Sequence, residues 1–160
     1  MVIDAPFREK APEENAAQEH RAFAELRVYP SGEAILARFR PVPDQPVIGY
    51  IAGHVAATSI RQVDGGWTWK WDPAVFHHTV PPAPLARVDC RVALFRAEHG
   101  ILSTELSDVM YDRLGRVAPV IEIPAAAHHI MLDQPIALVA AIRTLLSDWD
   151  HSRPAAPGDA

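Results

Sequence analysis

The sequence predicts an α/β protein: a parallel sheet with a mostly helical block inserted after its first strand. Two observations carry this. From residue 88 onward, apolar runs of strand length alternate with amphipathic helical stretches, the pattern of parallel strands joined by right-handed crossovers. Before that lies a block of helical periodicity, punctuated by proline clusters at Pro41, Pro43 and Pro46 and at Pro81, Pro82 and Pro84. Proline fixes φ and removes a backbone donor, so these clusters mark element boundaries.

The opening MVIDA reads as a short strand that needs partners in a sheet. In residues 11–29, Ala22, Phe23, Leu26 and Tyr29 recur at helical spacing. Ser31 is placed to cap a second helix running through Phe39, with Ala34, Ile35 and Phe39 inward and Glu33 in its first turn. A third helix follows Pro46, with Ile48, Ile51, Val55 and Ile60 along one face. Asp64-Gly65-Gly66 is a turn signal, and Trp67, Trp69 and Trp71 alternate on one side of an extended segment. VDCRVALF, residues 88–95, is a continuous apolar run suited to a buried parallel strand. Thr104 to Leu114 is a helix with Leu106, Val109, Met110 and Leu114 on one face and Gly115 at its C-terminal cap. PVIEIP, residues 119–124, is the next strand, ended by Pro124, and AAAHH is a loop. Asp133 caps a long helix with Pro135 in its first turn and a stripe of Ile136, Val139, Ala140, Ile142, Arg143 and Leu146, continuing to Trp149. HSRPAAPGDA reads as a disordered tail.

Three of these segments together resemble an α/β-hydrolase. PVIEIPAAAHHIMLDQP is similar to that family's last strand, histidine loop and final helix. RVALFRAEHGIL is similar to the preceding strand and its loop, and VIDAP to the strand before the cap. The block ending in GGWTWKWDP is similar to the cap of esterase-type members. The resemblance implies the C-terminal portion of an α/β-hydrolase parallel sheet with a mostly helical cap insertion. Residues 1–10 would then be a core strand, 11–84 the cap, 85–149 the terminal strand-helix-strand-helix, and 150–160 the tail.

The family mechanism needs a serine in Gly-x-Ser-x-Gly, a histidine that takes its proton, and an acid that orients the histidine. The resemblance places the histidine at His128, with His129 as fallback. The acid's frequent position is occupied by Gly100. Some members carry the acid after the strand before the cap, where Asp4 stands; Glu98 and Asp108 are the other candidates. None of Ser31, Ser59, Ser103, Ser107, Ser147 and Ser152 has glycine two residues before and two after, so the nucleophile motif is absent. Trp67, Trp69 and Trp71 pack cap on base or line a pocket for a partly apolar substrate.

Two readings follow. In one, the chain is the C-terminal part of a serine hydrolase for small ester-like substrates and is silent and poorly soluble alone. In the other, it is a complete non-catalytic module that binds a partner or self-associates through the open sheet edge near residues 1–5. Composition narrows both. The 15 Lys and Arg among 160 residues form no basic stripe, which argues against nucleic acid. No apolar run is long enough to span a bilayer, and the N-terminus lacks signal-peptide order. One cysteine, Cys90, fits a reducing cytoplasm and reads as a small buried hydrophobe. Neither His77-His78 nor His128-His129 has partners at metal-ligand spacing, so no metal or other cofactor is expected.

Overall fold

A computed structural model describes residues 1–7, 26–72 and 89–152. The expectations for residues 8–25, 73–88 and 153–160 lie outside the described residues, among them Ala22, Phe23 and the tail.

The sheet holds β1 (Val2–Ile3), β4 (Leu94–His99) and β5 (Val120–Ala127) in the order β1-β4-β5, all parallel. Alternation along β4 sends neighbouring side chains to opposite faces. Phe95 and Ala97 pack with Ile123, Ala126, Ile130, Leu138 and Leu145 on one face. Leu94 packs with Leu102, Met110, Leu114 and Ala118 on the other. Among the described residues, α3 (Thr104–Arg113) packs on the Leu94 side and α5 (Pro135–His151) on the Phe95 side. Fully burying a Phe or Leu side chain contributes about 1.5–3 kcal/mol, so these two layers set the sheet's position.

The strands lie further along the chain than the apolar runs suggest. Instead of spanning residues 88–95, β4 begins at Leu94 and continues through the polar Arg96, Glu98 and His99. Arg96 is paired across the sheet with Glu122, which compensates the charge that the periodicity argument treats as a strand end. Cys90 precedes the strand and is exposed, contrary to its reading as a buried hydrophobe. Similarly, β5 does not stop at Pro124 but runs to Ala127, so the first three residues of AAAHH are strand rather than loop. As an edge strand, β5 tolerates a residue that cannot donate to a ladder. The register passes from Ala97↔Ile123 to His99↔Ala127, two residues against four, so a bulge lies at 124–126 with Ala125 at φ 54°.

The helices are mostly where the periodicity puts them, and each keeps only part of its expected face inward. Ser103 caps α3 by accepting from the Leu106 N–H, and Gly115 follows at φ 76°. Met110 and Leu114 are buried, whereas Val109 is 44% exposed and Ser107 takes the inward position. On α5 the expected Ile142 and Trp149 do pack on the core, but beside the buried Leu138 and Leu145, while Ile136 is 84% exposed and Val139 and Leu146 face out. Apolar residues surround most of this helix, so periodicity alone does not fix which side meets the sheet. Asp133 does not cap α5; that position is Gln134, without a side-chain cap bond. Asp133 instead ends a short helix, α4 (Ile130–Asp133).

Between β1 and β4, the described segment holds α1 (Gly32–Leu36), α2 (Gly49–Thr58) and a hairpin of β2 (Ile60–Val63) and β3 (Gly66–Trp69). Ser31 caps α1 as expected, but the helix ends before Phe39. Ala52 and Ala56 are the buried residues of α2, and Ile60 belongs to β2 rather than to the helix. Tyr29 is not helical: it exchanges two backbone hydrogen bonds with Trp67, both 2.8 Å, extending the hairpin. Among the described residues, no helix is long and apolar enough to cross a membrane.

Candidate active site

Because β1, β4 and β5 are parallel, their carboxyl ends open on one side of the sheet, where ligand sites of such sheets form. Asp4 follows the last residue of β1. Its N–H donates to Phe95 O at 2.7 Å, and its backbone turns sharply, with φ 43°. Aspartate is among the few residues that tolerate this left-handed region. The turn carries the carboxylate back under the end of β4, where Asp4 is 0% exposed. There Oδ1 accepts from the Ala97 N–H at 3.0 Å, and Oδ2 accepts from the Ile101 N–H at 2.9 Å. A buried carboxylate without such donors would cost several kcal/mol, so the loop after β4 is what makes it tenable.

His128 follows the last residue of β5. Its Nδ1 lies 2.9 Å from Asp4 Oδ2 across 124 residues of sequence, and its side chain is 22% exposed. A carboxylate accepts, so Nδ1 is the donor in this contact, and in the neutral ring with that tautomer the lone pair lies on Nε2. The histidine loop is fixed from both sides. The Ala127 N–H donates to Asp133 Oδ2 at 2.6 Å, which is the role Asp133 has in place of a helix cap. The next residue is gripped by Gln45: the His129 N–H donates to Gln45 Oε1 at 2.7 Å, and Gln45 Nε2 donates to His129 O at 3.3 Å. The Ile48 N–H adds a bond to Leu132 O at 2.7 Å. The segment between β1 and β4 is thereby tied to the loop that carries His128.

No family model matches this sequence, and no curated protein matches it. Solved structures do. The E-2-(acetamidomethylene)succinate hydrolase superposes with TM-score 0.66 at 23% identity, covering 91% of this chain and 56% of that one. The thioesterase domain from the curacin biosynthetic pathway gives TM-score 0.62 at 14% identity, covering 88% and 56%. An M. tuberculosis esterase gives 0.54 at 22% identity, covering 84% and 49%. The chain has the α/β-hydrolase fold. It spans about half the length of each of these structures, and its parallel β1-β4-β5 sheet is the C-terminal portion of that fold.

The other site candidates of this α/β-hydrolase portion fall elsewhere. Although the His129 ring lies 4.6 Å from that of His128, its Nε2 is 3.0 Å from Val42 O, so it faces the intervening segment rather than Asp4. The Glu98 carboxylate accepts the Ala125 N–H at 2.7 Å and so serves the bulge. Asp108 sits on an exposed position of α3. Gly100, at the acid's frequent position, lies against the Asp4 carboxylate itself. Trp67 packs by Gly32 of α1, and Trp69 stacks at a tilt on Phe39, 6.2 Å between centroids. Trp69 and the 45% exposed Trp71 border a cavity of about 260 Å³ with Arg38, Phe39 and Arg40, and neither Asp4 nor His128 lines it. Sequence reasoning missed Gln45, Asp133 and the two amides under Asp4. Nothing local in the sequence signals a glutamine that pairs with a backbone 84 residues away.

Proposed function

We propose that this chain supplies the acid–histidine part of a serine-type α/β-hydrolase acting on a small, partly apolar ester or related carbonyl compound. His128 Nε2 is the general base that takes the serine's proton and returns it to the leaving group. Asp4 holds the imidazole in the Nδ1–H tautomer and stabilises the imidazolium as it forms. The observation that carries the reading is the 2.9 Å contact from His128 Nδ1 to a fully buried carboxylate bound by two backbone N–H groups. The serine and the oxyanion donors belong to polypeptide beyond these 160 residues, so the chain alone is catalytically silent. The hydrolase, thioesterase and esterase structures that share the fold support acyl transfer as the reaction class.

The test is the native polypeptide captured from its source cells. The expected result is a mass above 17.6 kDa, peptides containing Gly-x-Ser-x-Gly, and p-nitrophenyl ester turnover. That turnover falls about 10⁴-fold in Asp4→Asn and at least as far in His128→Ala. A native mass of 17.6 kDa with no turnover would instead favour a binding or oligomerising module. Turnover by the 160-residue chain that survives His128→Ala would overturn the reading.

A further inference from the structure

We propose that Gly100 is a positioning residue for His128, because only a residue without Cβ leaves room for the Asp4 carboxylate. This inference rests on the Asp4–His128 reading. Glycine is usually required where φ is positive, as at Gly65, Gly66 and Gly115, but Gly100 is not among those positions. Its backbone would suit any residue. The space would not: an ideal Cβ built at Gly100 lies 2.2 Å from Asp4 Oδ2, 2.4 Å from Oδ1 and 2.5 Å from Cγ. Those separations are far inside van der Waals contact with all three atoms of the carboxylate.

Neither partner can step aside. Gly100 closes a turn through its N–H to Ala97 O at 3.1 Å. The same turn supplies both donors to the carboxylate, from Ala97 and Ile101. Asp4 is held by its own N–H on Phe95 O and is completely buried. A methyl group at position 100 therefore expels the carboxylate from its cradle, and with it the acceptor of the His128 Nδ1–H. The loop after β4 offers one socket, which holds either a side chain of its own or the carboxylate arriving from β1.

The experiment compares Gly100→Ala, Asp4→Asn, Asp4→Gly and Asp4→Gly/Gly100→Ala with the native protein, labelled with ¹⁵N-histidine. Two quantities are read: the hydrogen-bonded Nδ1–H resonance of His128, with its tautomer ratio, and the melting temperature. The expected result is that Gly100→Ala abolishes the resonance and reproduces the tautomer ratio of Asp4→Asn. It also lowers the melting temperature in the native background but not in Asp4→Gly, where the socket is empty and Gly→Ala at ordinary φ restrains only the unfolded chain. If Gly100→Ala fails to fold while the double variant folds, the conflict with the carboxylate is likewise supported. A Gly100→Ala protein that keeps the native resonance would overturn the inference, as would an equal loss of stability in both backgrounds. If Asp4→Asn itself leaves the His128 resonance and tautomer unchanged, the Asp4–His128 reading fails first, whatever Gly100 does.

Discussion

At the scale of single residues, the candidate site is a problem of holding one buried carboxylate and one ring in place. Asp4 depends on one amide of β4 and one of the loop after it, and His128 depends on the bonds that its neighbours make to Gln45 and Asp133. Gln45 is the most informative of these because it lies outside the sheet. A net hydrogen bond is worth about 1 kcal/mol, or roughly a factor of five in a local opening equilibrium. Gln45→Ala should therefore speed hydrogen exchange at the His129 amide by about fivefold or more, while amides in β4 keep their native rates. Gln45→Glu keeps the acceptor for that amide and should have the smaller effect. Equal exchange in all three proteins would mean that Gln45 does not restrain the histidine loop.

At the scale of elements, each helix presents a face that the sheet has selected. On α5, Leu138 and Ile136 are two residues apart and equally apolar, yet one is 6% and the other 84% exposed. Leu138→Ala should cost about 2–5 kcal/mol and Ile136→Ala less than about 0.5 kcal/mol, measured by denaturant unfolding. The reverse order would restore the stripe expected from periodicity. On α3, the Ser103 hydroxyl accepts the Leu106 N–H, so Ser103→Ala should cost about 1 kcal/mol. Glu105 in the same turn has its carboxyl held below the ordinary value of 4.5, first by a hydrogen bond from its own backbone N–H, then by the Ser103 hydroxyl. A lowered folded-state value means that this contribution is fully present above pH 4.5 and is lost as pH falls through the folded value. Glu105→Gln should lower stability slightly at neutral pH, leave it unchanged at low pH, and so flatten the acid limb of the stability curve.

At the scale of the whole molecule, three parallel strands bring two distant chain segments to one end of one sheet. Phe95 sits in the central strand, 0% exposed, against α5 and the strand that leads to His128. Phe95→Ala should cost about 3–5 kcal/mol, which for a chain of this size lowers the melting temperature by about 6–20 °C. A drop of only a degree or two would mean that the sheet is not organised around this residue.

The sequence by itself determined that the chain alternates strand and helix, where several turns and caps fall, though not the cap of α5, and that a histidine follows the last strand. Ser31, Gly115 and the Asp64–Gly66 turn are legible because caps and turns are local chemistry. Only the tertiary structure decided that α5 turns Leu138 and Leu145 inward and Ile136 outward, since that helix carries apolar residues on more than one face. It also decided that β4 and β5 run on through Arg96, Glu98 and Pro124, because cross-strand pairing and an outward edge offset what propensity counts against them. The site depends on the same distinction. Asp4 and His128 could each be singled out, but their pairing, the cradle at Ala97 and Ile101 and the grip of Gln45 join residues 84 to 124 positions apart. Spacing along a chain carries no information about contacts of that range; they arise only when parallel strands place their carboxyl ends side by side.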